Sequence, residues 1–194
     1  MSQSPETSRC PWANPKNETY IKYHDEEWGV PVYDDETLFE FIVLESAQAG
    51  LSWETILNKR ENYRKAFDNF DFEKIAQYDE AKMVALTEDA GIVRNKLKIK
   101  ATVTNAQAFI RIREEFGTFS KYIWGFLPNQ KPIINQLNSM SESLASTPLS
   151  DQISKDMKKR GFKFFGTTIC YAHMQATGMI NDHLTSCFRY KEVG

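Results

Sequence analysis

Cysteine is scarce in this chain of 194 residues: there are three, with only three histidines beside them. Three thiols exclude the disulfide framework that staples small secreted domains. No apolar run approaches the ~20 residues that cross a bilayer. The opening stretch MSQSPETSRC also lacks the apolar segment of a secretion signal. A soluble, cytoplasmic protein with no membrane partner is expected. An excess of positive charge is missing too, because 24 Lys and Arg stand against 26 Asp and Glu, a net of −2. What is present suffices for a core: 41% hydrophobic and 13% aromatic residues exclude a disordered chain.

The net charge hides an uneven distribution. Residues 1–45 carry ten acids and three bases, so the remaining 149 residues carry +5. Two basic knots hold much of that excess: Arg94, Lys96, Lys98 and Lys100, and then Lys155, Lys158, Lys159, Arg160 and Lys163. Either reads as a solvated helix face or, beside glycine turns, as a phosphate contact. Net charge therefore excludes no partner.

The punctuation of the chain predicts an all-α fold. Asp34-Asp35 offers an N-cap for a helix reaching about Ala49, ended by Gly50, and Ser52 caps another running through Trp53, Ile56, Leu57, Tyr63 and Phe67. Short helices are expected near 71–78 and 79–90, and a longer one after Gly91 carrying Ile99, Val103, Ala106, Phe109 and Ile110. Thr147-Pro148 starts a helix that ends on Lys158-Lys159-Arg160-Gly161, with cations at the negative end of its dipole. A last helix runs from Gly166 to about Thr177. Residues 30–33 or 162–165 are candidates for a short extended piece, and 135–147 reads as a loop.

Three features carry chemistry. Residues 148–178 read as two helices joined by the turn Gly161–Gly166, either an ordinary hairpin or a DNA-gripping one. In the second case, unpaired N–H groups around Gly166, Thr167 and Thr168 would hold a phosphate, with Lys163 and Arg160 attracting it. Glu45 lies in line with the apolar positions Leu38, Phe41 and Ile42 and is expected to be partly desolvated. It is either a structural cap or a pocket acid, with Gln48, the turn Gly50-Leu51-Ser52 and Trp53 close behind. Finally, Cys10 and His24 near one end and His183 and Cys187 near the other make two sulfurs and two imidazoles, a donor set that suits a structural Zn²⁺. Their spacing is no zinc signature by itself. Cys170 and His173 read as a core thiol and a helix-face histidine.

Together these residues resemble a known family, the type I 3-methyladenine DNA glycosylases of base-excision repair. The resemblance is carried by Tyr20-Ile21-Lys22-Tyr23-His24-Asp25-Glu26-Glu27-Trp28-Gly29-Val30-Pro31, by Leu44-Glu45 with Gln48-Ala49-Gly50-Leu51-Ser52-Trp53, and by Lys59-Arg60-Glu61-Asn62-Tyr63. Asp89-Ala90-Gly91-Ile92, the stretch from Lys158 to Tyr171, and Asn181-Asp182-His183 extend it over roughly residues 9–188. It implies a helix–hairpin–helix glycosylase domain over 9–188, with a disordered extension at 1–8 and a tail at 189–194.

The resemblance further implies one structural zinc on Cys10, His24, His183 and Cys187, with no organic cofactor. It places Glu45 in the lesion pocket as the catalytic group, with Tyr20, Tyr23 and Trp53 around the extruded base and Trp12 and Trp28 as further aromatic candidates. Gly50 and Leu51 become the tip that plugs the duplex, and Lys163, Gly166, Thr167 and Thr168 the backbone grip. The implied partner is double-stranded DNA containing alkylated adenine, with free 3-methyladenine as product and a monomeric enzyme. The implied reaction leaves an abasic site without strand cleavage; the alternative is a non-catalytic damage binder of the same fold. Asp182 precedes a proposed zinc ligand and is expected to play a local structural role.

Overall fold

Side-chain caps set most helix starts in the computed structural model, which describes residues 8–193. Helix α1 spans Glu18–Glu26 behind the cap Asn17, and α2 spans Asp35–Gln48, where the Asp34 carboxylate accepts the Thr37 N–H at 2.8 Å. Ser52 caps α3 (Trp53–Leu57), which is followed by α4 (Arg60–Ala66), α5 (Phe72–Ile75) and α6 (Glu80–Glu88). The long α7 (Lys96–Phe116) starts on Asn95, whose side chain accepts the N–H groups of Leu97 and Lys98. Thr118 caps α8 (Phe119–Trp124). Helix α9 (Pro148–Lys159) opens with a reciprocal Thr147–Ser150 capping box and Pro148 at its first position, and α10 (Thr167–Ala176) follows.

The all-α expectation holds, with one small addition. Strands β1 (Ile133–Ile134) and β2 (Ile180–Asn181) pair in parallel, at neither of the positions expected to be extended. Such a short ladder has no readable alternation, and only the tertiary approach of distant segments creates it. The helix expected from Ser52 to Phe67 is two helices, α3 and α4, stepped at Asn58-Lys59. The step lets Arg60 reach both Glu27 and Glu40. Helices α1, a polar stretch of nine residues, and α8, only six residues long, were not anticipated.

Helix α2 is the centre of the molecule. Every residue from Leu38 to Ala47 is buried, and α3, α7, α8 and α10 pack around it. A helix buried on all sides needs no amphipathic stripe. Glu45 is therefore buried because α2 is central, not because it falls on one apolar face.

Helices α9 and α10 form the expected hairpin. Phe162 N–H bonds the Met157 carbonyl and Gly161 N–H the Lys158 carbonyl, a Schellman ending in which Gly161 adopts φ +108°. Gly178 (φ +66°) stops the chain after α10, where an added Cβ would lie 2.3 Å from the Pro31 nitrogen. No side chain larger than hydrogen fits there.

No helix among the described residues is long and apolar enough to cross a membrane. The extension expected to be disordered falls on residues 1–7, outside the described residues. Ser8, assigned to it as well, accepts a hydrogen bond from Phe188 N–H. Within the expected tail, Tyr190 accepts from the Asn181 amide.

Candidate active site and metal cluster

Helices α1, α2, α3 and α10, together with the loop at 140–143, enclose a cavity of about 240 Å³. Its wall contains Trp12, Tyr20, Tyr23, Trp28, Glu45, Gln48, Trp53 and Asp182. The rings brace one another: Tyr23 lies 5.4 Å from Trp53, Trp12 lies 5.3 Å from Tyr20, and Trp12 meets Trp28 edge-on at 4.8 Å. Electron-rich faces in this density suit a flat cationic ligand. Both indoles left open in the sequence, Trp12 and Trp28, therefore reach the cavity. Trp28 also packs edge-on against His183 at 4.5 Å, joining the cavity to the metal-capable cluster.

Glu45 is 1% exposed. Its Oε2 lies 3.0 Å from His173 Nδ1, while its Oε1 is buried without a partner. Burial raises its pKa and the neighbouring His173 partly offsets that rise. Trp53 Nε1 is likewise buried and unpaired. An orphan acceptor and an orphan donor within one site mark a surface that expects a polar ligand. Asp182, 3% exposed, is by contrast saturated: it accepts from Asn135, Tyr171 and Gln175 at 2.7–2.8 Å. It ties β2 to α10 and to the 135 loop, as a structural role requires, and yet it also forms part of the cavity wall.

The cluster of Cys10, His24, His183 and Cys187 is fully buried, with its four donor atoms within 4.8 Å of one another. Cys187 Sγ lies 3.5 Å from His24 Nε2 and from His183 Nδ1, and Cys10 Sγ lies 3.5 Å from His183 Nδ1. Donors at about 2.0–2.3 Å from a tetrahedral zinc stand about 3.5 Å apart, so the set fits such an ion. The remaining ring nitrogens are oriented from outside. His24 Nδ1 meets Asp25 at 2.7 Å, with Arg9 behind it, and His183 Nε2 meets the Trp28 carbonyl at 3.0 Å. The Cys187 thiol is held far below its ordinary pKa by its bonds from Cys10 and the two histidines, and Cys10 is pushed up in turn.

A sequence profile described as methyladenine glycosylase matches residues 12–190. The chain belongs to the methyladenine glycosylase family. It is 48% identical over 182 residues to DNA-3-methyladenine glycosylase 1 of Escherichia coli (strain K12), covering 94% of this chain and 96% of that protein. The crystal structure of a 3-methyladenine DNA glycosylase I superposes with a TM-score of 0.90 at 48% identity, over 93% of this chain and 98% of that one. A variant of 3-methyladenine DNA glycosylase I in complex with 3-methyladenine superposes at 0.89 with 37% identity, over 93% and 96%.

In this methyladenine glycosylase family member, the remaining expected residues lie on two exposed turns. Gly50 and Leu51 form the tip after α2, Leu51 being 42% exposed. Lys163 is exposed on the hairpin, Gly166 is the N-cap of α10, and Thr168 is exposed beside it. Thr167 Oγ1 instead bonds Ser150 Oγ at 2.9 Å, which ties α10 to α9. The basic knots are partly consumed by partners within the chain. Lys98 Nζ donates to the Ala47 and Ala49 carbonyls at 2.8 and 2.6 Å and so braces the Leu51 turn. Arg160 pairs with Glu115 and Asp156 at 2.7 Å each, which removes it from the set of free cations.

His173 is the site residue that sequence reasoning missed. It is fully buried against Glu45, not presented on a helix face, and 128 residues of separation left no local signal.

Proposed function

We propose that this chain excises 3-methyladenine from double-stranded DNA by hydrolysing its N-glycosidic bond, leaving an abasic site. The observation that carries the reading is the buried Glu45 carboxylate with its unpaired Oε1, set in a wall of indole and phenol rings. The relative in complex with 3-methyladenine supports the choice of ligand.

N3-methylation places a positive charge on the adenine base while it is attached to the sugar. Tyr20, Tyr23, Trp53, Trp12 and Trp28 favour such a cation over neutral adenine by about 1–2 kcal/mol for each desolvated face. Glu45 Oε1 accepts a hydrogen bond from the base's amino edge and adds electrostatic attraction. The C1′–N bond electrons pass to the base, which leaves neutral; water adds at C1′ and gives up its proton to solvent. Among the described residues no lysine contributes to the cavity wall, which supports a hydrolase without Schiff-base strand cleavage.

Extruding the nucleotide costs a few kcal/mol. Leu51 on the Gly50 turn fills the gap in the stack, and the hairpin grips the backbone. The grip uses the uncapped N–H groups around Gly166, Thr167 and Thr168, with Lys163 supplying charge. Cys10, His24, His183 and Cys187 hold one structural zinc, which cross-links the two ends of the domain behind Trp28. The enzyme acts as a monomer in the cytoplasm, where its thiols stay reduced.

Incubating purified protein with methylated duplex and chromatographing the released bases tests the activity. Free 3-methyladenine is the expected product, and tight binding of damaged DNA without release would refute catalysis. One equivalent of zinc by elemental analysis, lost in Cys187→Ala together with several degrees of Tm, is the expected metal result.

A further inference from the structure

We infer that His173 is a positioning residue for Glu45: its Nδ1–H anchors Oε2, so that Oε1 alone is presented to the base. The inference rests on the reading of the cavity as a 3-methyladenine site. His173 is not part of the cavity wall, although Ala172, Gln175 and Ala176 on the same helix are. It acts from behind. Its ring is fully buried, 3.0 Å from Oε2 through Nδ1, and edge-on to Phe165 at 5.4 Å. The Phe165 carbonyl is in turn held by Ser154 Oγ at 2.8 Å, so the imidazole is clamped between the hairpin turn and the carboxylate.

Hydrogen bonding selects the tautomer. His173 Nε2 is buried without a partner, and a proton there would be an unpaired donor in an apolar site. With the proton on Nδ1, the ring donates to Glu45, which then serves as acceptor through both oxygens: Oε2 to His173 and Oε1 to the ligand.

No other neighbour does this work. From α1, Tyr23 faces Glu45, and from α10, Cys170 feels its charge; both are acids, and both are pushed up by burial and by that charge. Helix α3 contributes the uncharged Trp53. His173 is the group that offsets the burial of the carboxylate. Without it, Glu45 takes up a proton at higher pH and loses both its fixed rotamer and its preference for a cation.

The test compares His173→Leu, which keeps bulk and loses the donor, with His173→Asn, whose amide N–H stands at the same distance along the side chain as Nδ1. The readout is kcat/KM for 3-methyladenine release from methylated duplex across pH, with Tm measured alongside. The Leu variant is expected to lose about tenfold at neutral pH. Its acid limb should move up by about one pH unit, and the Asn variant should recover most of both. A Leu variant with an unmoved pH profile and only a lower Tm, or an Asn variant no better than Leu, would overturn the inference.

Should the Leu variant not fold, ¹⁵N spectra of the wild-type imidazole decide. The Nδ1–H tautomer supports the inference and the Nε2–H tautomer refutes it. A wild-type protein that releases no 3-methyladenine would refute the functional reading instead, while the tautomer measurement still stands.

Discussion

Helix α2 carries two buried carboxylates five residues apart, about 140° around its axis, and they have opposite surroundings. Glu40, 6% exposed, accepts from Arg60 and Arg64 at 2.7 Å each, and Arg60 goes on to pair with Glu27. Glu45, 1% exposed, meets one histidine nitrogen and keeps an oxygen with no partner. The first is a closed ion cluster in which every charge is answered inside the protein. The second is open toward a cavity of aromatic rings. Burial alone does not separate a structural acid from a functional one; the unanswered hydrogen-bonding capacity does.

The contrast can be broken by experiment. The largest effect belongs to Glu45→Gln, which should reduce 3-methyladenine excision by about 100-fold with the fold intact. A variant with unchanged preference for 3-methyladenine would remove Glu45 from the site. Glu40→Gln should do the reverse. Arg60 then keeps only Glu27 and Arg64 only the exposed Glu61, which costs about 2 kcal/mol, a Tm loss of about 4–8 °C, while excision per folded molecule stays within about twofold. Equal losses of activity in the two variants would erase the distinction.

Leu51→Ala extends the comparison to an exposed position. Excision should fall about tenfold through poorer flipping, with Tm unchanged in thermal melts because Leu51 supports no core.

The smallest expected effect is a pH signature. Burial raises the pKa of Glu45 in the folded state. The unfolded chain therefore loses that proton first, and the fold loses stability as pH rises through the folded-state value. Glu45→Gln should accordingly raise Tm at pH 8. The gain should shrink as pH falls below the folded-state pKa. A gain that stays the same size from pH 8 down to pH 4 would show that burial of the charge is not its source.

Much of this was legible in the chain. Asp34, Ser52, Thr147-Pro148 and Gly161 announced their helix ends because capping is a bargain struck within four or five residues. Glu45 stood out as an acid among apolar neighbours, with Gly50-Leu51 and Trp53 close behind it. The zinc-capable set was visible as residue types, but its closure was not. Only the fold brings Cys10 and His24 to within 3.5 Å of His183 or Cys187. The basic knots misled in part, since Lys98 turns inward to carbonyls and Arg160 is paired with acids at the surface, partners that composition does not reveal. The polar nine-residue α1, the six-residue α8 and the two-residue strands β1 and β2 escaped because elements so short or so polar leave little apolar signal in the chain.

By itself, then, the sequence determined the helical class, most helix boundaries, the residue types available for chemistry and the tight turns that expose Leu51 and Gly166. These follow from backbone dihedral limits and hydrogen bonds between near neighbours. Only the tertiary structure decided which buried acid is neutralised and which stays available. The partners of Glu40 arrive from α4, 20 and 24 residues on, and the partner of Glu45 from α10, 128 residues on. Proximity at such separations leaves no periodic trace in the chain, because it is set by how the helices pack around α2.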